Sequence, residues 1–138
     1  MGLDKLRSMH QMKTGALLKA SVQLGICCGQ LPAIRPESIH FLEQYAAHLG
    51  LAFQVIDDVL DESASTESLG KTAGKDKVQD KPTFVSLMGL GAARDFAFQL
   101  HGRAIASLEQ ARQADSRLQA DGLNHLAGLA DLVVLRQH

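Results

Sequence analysis

Between Pro36 and Glu62 the chain sets Ile39, Phe41, Leu42, Tyr45, Ala46, Leu49, Phe53, Val55, Ile56 and Leu60 at helical spacing, with no proline after the first position. An apolar surface that wide cannot belong to a solvated helix, so other elements must cover it. Pro36 suits a first helical turn and Glu37 beside it suits the positive end of the helix dipole. The neighbours are predicted to be helices too. Aromatic residues make up only 4% of the chain and β-branched runs are scarce, whereas Ala, Leu, Gln, Lys and Glu are plentiful. No strand is predicted, and the fold class is all-α. With 138 residues, 46% of them hydrophobic, the chain is long enough for one compact domain over 1–138 and too short for two.

A first helix is expected from Leu3 to about Gln30, with Leu17, Leu18, Val22, Leu24 and Ile26 as its apolar positions, stopped by Gly29 and Leu31-Pro32. After the central helix, Ser63 to Val78 reads "SASTESLGKTAGKDKV" and is expected to be a loop. Pro82 suits the start of a short helix ending near Met88. Gly89 and Gly91 then separate it from an amphipathic helix reaching about Ala114, and Leu123 to Leu135 forms the last helix.

A formal net charge of -1 gives no global electrostatic reason to expect nucleic acid or an anionic membrane surface as partner. No uninterrupted apolar run approaches the ~18 residues of a membrane span, and the expected location is cytoplasmic. Cys27 and Cys28 are adjacent and lack metal-ligand spacing, so two small buried thiols are expected.

Any charge-driven chemistry must therefore be local. In "FQVIDDVLDES", residues 53–63, Asp57 and Asp61 lie four apart on one helix face with Asp58 beside them. Like charges at that spacing repel. Near a helix C-terminus the dipole disfavours each anion by a further ~0.3–1 kcal/mol. Two readings follow: a solvated acidic end running into a polar loop, or carboxylates projecting into a cleft where a hard cation relieves them. The apolar Phe53, Val55, Ile56, Val59 and Leu60 on the same turns favour the cleft. Magnesium suits it, because that ion binds through one or two carboxylates and keeps positions for water and phosphate. Downstream, Lys71, Lys75, Lys77 and Lys81 supply the opposite charge, either as a solvated basic loop or as a segment that closes over an anion. "GKT" at 70–72 is no nucleotide P-loop, because Ser65 stands where that motif needs glycine and a helix precedes it. In "MHQMKTGALLKAS", Gly15 inside a helix costs ~1 kcal/mol relative to alanine unless close packing or a kink uses it. A kink there would free a carbonyl near Lys13 and Thr14. Of the six histidines only His10, one turn before Lys13, falls near these residues.

Taken in order, "HQMKTGALLKASVQLG", "LGLAFQVIDDVLDE", "LGKTAGKD" and "DKPTFVSLMGL" resemble the C-terminal half of the trans-isoprenyl diphosphate synthases, the farnesyl and geranylgeranyl diphosphate synthase family, bacterial members above all. The resemblance covers essentially the whole chain. It implies a prenyl synthase-type helical bundle and a transferase reaction. There an allylic diphosphate ionises with magnesium on its leaving group, isopentenyl diphosphate attacks the cation, and a proton is lost. By the same resemblance Asp57 and Asp61 are metal ligands with Asp58 in support. Lys13, Lys71 and Lys81 are partners of the diphosphate, and the Thr14 carbonyl and Gln54 side chain are dipoles facing the developing cation. Terpene cyclases share the metal logic but do not ordinarily join it to this K-T-G and "GKTAGKD" pairing.

The sequence departs from the family in one respect: its members carry two aspartate-rich motifs, and a single one stands here, with Asp76, Asp80, Asp95, Asp115, Asp121 and Asp131 each isolated. The chain therefore reads as the C-terminal part of a prenyl synthase, a start at Met1-Gly2 fitting a truncation. Alone it is expected to lack condensation activity; the alternative is a non-catalytic helical subunit or scaffold derived from such an enzyme. Faces made to pack against absent helices predict a homo-oligomer or association with a separate N-terminal half.

Overall fold

The computed structural model describes residues 2–29, 33–69 and 82–136. It has helices α1 (Leu3–His10), α2 (Ala16–Cys28), α3 (Pro36–Leu69), α4 (Phe84–Met88), α5 (Leu90–Ala114) and α6 (Ala120–Leu135), with one π-helical turn, Gln11–Gly15, joining α1 to α2. Among the described residues there is no strand, and no helix is long and apolar enough to cross a membrane. The all-α expectation holds.

As its broad apolar surface requires, α3 touches every other described helix. Its largest interface is with α5, which offers Ala93, Ala97, Leu100, Ala104, Leu108 and Ala111 in steps of three and four. Four of those six are alanine, and small side chains on such a seam let two helix backbones approach. Facing them, Leu42, Tyr45, Leu49, Ala52, Val55, Ile56 and Val59 fill the space between. The core divides along α3. One cluster gathers Leu6, Val55, Ile56, Val59, Phe84, Ala93, Ala97 and Leu100 at the acidic end, and the other gathers Leu42, Tyr45, Leu49, Ala104, Leu108 and Ala130 at the opposite end. Two buried hydroxyls cross-link it: Ser38 Oγ donates to Ala111 O at 2.8 Å and Tyr45 Oη to Leu126 O at 2.7 Å. Burial pushes the Tyr45 phenol up to about 12.

Several boundaries differ from the sequence reading. The expected loop from Ser63 is helical as far as Leu69, while the remainder of that span lies outside the described residues. Between Ser63 and Gly70 no glycine or proline interrupts the chain, and Ser63 Oγ returns a bond to Val59 O at 2.8 Å within the helix. Asp57 and Asp61 are thus interior to α3 by at least two turns, beyond reach of the terminal dipole that the sequence reading set against them. The short helix starts at Phe84 instead of Pro82, because Thr83 and Ser86 form a reciprocal capping box. The last helix opens at Ala120, three residues early. Cys27 and Cys28 are exposed, contrary to expectation. On that turn Ile26 is the residue packed toward the core, and the next two positions rotate away from it.

Asp115, which belongs to no paired-acid motif in the sequence, is buried and held by four donors. Its carboxylate accepts from Arg117 Nη2 at 2.7 Å, Arg117 Nε at 2.8 Å, and the backbone N–H groups of Arg35 and Arg117 at 3.2 Å each. Arg117 also donates to Ala33 O at 2.9 Å, so the end of α5 is tied to the approach to α3. Bonding to Arg117 holds the Asp115 carboxyl well below the usual carboxylate range. A lowered native pKa gives stability that is full above the unfolded value of about 3.9 and fades as pH falls below it. Asp115→Asn should accordingly unfold at lower urea than the parent at pH 7, with the gap narrowing below about pH 4. A gap constant across that range would show the charge to be irrelevant.

Candidate functional site

The middle of α3, ahead of its acidic stretch, is built against the π turn. Gly15 is buried, and a Cβ placed on Gly50 would lie 3.1 Å from Gly15 Cα and 3.2 Å from Leu18 Cδ1. Two glycines therefore meet where the chain segments cross. That close crossing, together with the π turn, is what the helix-interior glycine buys. The crossing sets Gln11–Gly15 alongside the stretch of α3 that leads to Asp57, and the Lys13-Thr14 pair falls on the π turn itself.

Along α3 the candidate residues then diverge. Gln54 Nε2 donates to Asp57 Oδ2 in a long 3.5 Å bond. Asp57 keeps 40% of its side chain exposed and Asp61 is exposed. Asp58 turns the other way and accepts the Phe84 N–H at 2.7 Å, which caps the start of α4. Burial raises the Asp58 pKa, against the Phe84 bond and the positive field of His10, and the nearby Asp61 and Asp57 charges raise it further. His10 lies beside Phe84, its ring 5.5 Å away and its Nδ1 buried without a partner among the described residues.

Lys13 and Thr14 thus lie on the π turn that packs against α3, and α3 carries Gln54, Asp57, Asp58 and, a turn further on, Asp61. Lys71 and Lys81 lie outside the described residues, as do Lys75 and Lys77. Among the described residues no group of three or more His, Cys, Asp or Glu converges on a metal position. The donor set still fits magnesium, because the half-exposed Asp57 and the exposed Asp61, four apart on one face, match an ion that takes one or two carboxylates and fills the rest with water and phosphate oxygens. Sequence reasoning missed Arg136. Its Nη2 pairs with Asp57 Oδ1 and donates to Phe53 O at 3.1 Å, while its guanidinium lies 4.2 Å from the centre of the Phe53 ring. A single arginine after an apolar helix carries no pattern that would have announced this.

The polyprenyl synthetase family profile matches residues 2–117. A "Probable farnesyl diphosphate synthase" of Sinorhizobium fredii is 48% identical over 110 residues, covering 77% of this chain and 33% of its own length. The chloroplastic geranylgeranyl pyrophosphate synthase of Capsicum annuum is 43% identical over 136 residues, covering 99% of this chain and 34% of its own. The crystal structure of a candidate farnesyl-diphosphate synthase from Marinomonas sp. MED121 superposes with a TM-score of 0.71 at 34% identity, over 97% of this chain and 40% of that one. The chain thus spans about a third of the length of the curated relatives it matches.

Proposed function

The chain belongs to the polyprenyl synthetase family, and on that premise we propose that it is the C-terminal part of a trans-isoprenyl diphosphate synthase, carrying the second aspartate-rich motif. The reaction is the condensation of an allylic diphosphate with isopentenyl diphosphate. The observation that supports this reading is that the half-exposed Asp57 and the exposed Asp61 share one face of α3, about two turns and more beyond the glycine crossing that packs the Lys13-Thr14 turn against that helix.

Asp57 and Asp61 would hold magnesium, and bound there the ion would neutralise a departing diphosphate. Asp58 contributes by position, fixing α4 through the Phe84 amide. Lys13, Lys71 and Lys81 supply positive charge to the diphosphate. The Thr14 carbonyl and Gln54 offer dipoles where an allylic cation develops, and dipoles set in place beforehand need no reorganisation as charge appears. The exposed Met12 on the π turn and Leu17 and Leu24 on α2 offer apolar surface suited to packing against further helices. With a single aspartate-rich motif, residues 1–138 by themselves are expected to bind a diphosphate and not to condense two.

Calorimetric titration with pyrophosphate should show weak, magnesium-dependent binding that Asp57→Ala abolishes. Binding indifferent to magnesium, or unchanged in Asp57→Ala, would refute the assignment.

A further inference from the structure

Arg136 is held at three points around α3. It pairs with Asp57 Oδ1, donates to Phe53 O at 3.1 Å and stacks on the Phe53 ring at 4.2 Å, with 25% of its side chain exposed. It directly follows α6, and its own N–H closes the last turn onto Leu132 O at 3.2 Å. A guanidinium on a carboxylate oxygen is a charge-assisted bond, and a divalent cation on the same carboxylate would stand beside that positive group. Both cannot be accommodated at full strength.

We propose that Arg136 is a built-in counter-ion that competes with a divalent cation for Asp57, so that metal binding on α3 removes one of the three ties at the end of α6 and loosens it. This rests on the reading of Asp57 as a metal ligand. The device is local because two of the three attachments, the Phe53 carbonyl and ring, do not involve Asp57. The guanidinium can leave the carboxylate and keep its footing on Phe53. In the metal-free protein the arginine offsets the repulsion between Asp57 and its acidic neighbours. Metal affinity is then lowered by the fraction of molecules in which the pair is closed. The coupling is reciprocal, so metal must loosen what Arg136 fastens.

Manganese alone is the probe, with the free ion counted by electron paramagnetic resonance during titration of the full chain. Arg136→Gln should bind it about three- to tenfold tighter than the parent, the range expected when a charge-assisted pair of modest strength is removed. Asp57→Asn should not bind. Affinity unchanged in Arg136→Gln while Asp57→Asn loses binding would overturn the counter-ion and leave the metal assignment standing. Weaker binding in Arg136→Gln would overturn it as well, making the arginine a support of the site. Binding intact in Asp57→Asn would overturn both. Should Arg136→Gln fail to fold, hydrogen exchange on the parent decides. Manganese should speed exchange in the segment 132–136, and slower or unchanged exchange there refutes the proposal.

Discussion

Phe84→Ala is expected to cost about 3–5 kcal/mol of stability, the range for removing a fully buried phenylalanine ring. The side chain has no exposed surface and sits in the cluster with Leu6, Val55 and Val59, its ring 5.5 Å from His10 and 6.2 Å from Phe96. These neighbours come from three different helices, α1, α3 and α5, so they cannot all close on the void. α4 has only five residues, too few to be stable without its tertiary contacts, and Phe84 is its one buried residue. Loss of the ring should therefore loosen the backbone N–H that Asp58 accepts, and the damage should reach the acidic end of α3. With urea slopes of ~1–3 kcal/mol/M, the midpoint should fall by about 1–5 M. A shift below about 0.5 M would mean that the site collapses readily and that α4 is no keystone of the acidic end.

That dependence marks the boundary of what could be read from sequence. The central helix, the helical class and the disturbance at Gly15 were legible because each is written in spacing within one segment. Apolar period, proline at the first turn and a glycine among helix formers act locally, and the structure returned all three. Interactions between segments were not legible. Asp115 bonds the Arg35 amide 80 residues away, and Arg136 reaches Asp57 across 79. Neither has a pattern, since a lone carboxylate and a lone guanidinium look alike whether paired or solvated. Asp58 is the intermediate case. Its type and position pointed to the site, but its orientation was fixed by the Phe84 amide, which a reading of α3 by itself cannot supply. The exposed cysteines failed for a related reason. Small apolar thiols are usually buried, yet on their turn Ile26 faces the core and they do not.

Gly50→Val is expected to impair stability and diphosphate binding together, whereas Gly15→Ala should do little to either. The two glycines meet at one crossing but are not equivalent. A Cβ on Gly15 would find its nearest atoms at 3.7 and 3.8 Å, ordinary contact distances. There the ~1 kcal/mol by which alanine exceeds glycine in helix propensity should roughly offset any repacking. A Cβ on Gly50 would meet Gly15 Cα at 3.1 Å, and backbone cannot swing aside as Leu18 Cδ1 can. Alanine at 50 sets that clash against the same propensity gain and should come out close to neutral or slightly worse. Valine gives up most of the gain and adds two methyl groups to the crossing, so overpacking of about 1–3 kcal/mol should prevail. Relief requires the π turn to move off α3, carrying Lys13 and Thr14 away from Gln54 and Asp57. Pyrophosphate affinity should then fall in Gly50→Val under conditions where circular dichroism shows the helices intact. Urea denaturation and calorimetry on the same samples separate the two effects. Undiminished affinity in a destabilised Gly50→Val would show that the glycine crossing serves the fold alone, and that the Lys13-Thr14 turn takes no part in holding the anion.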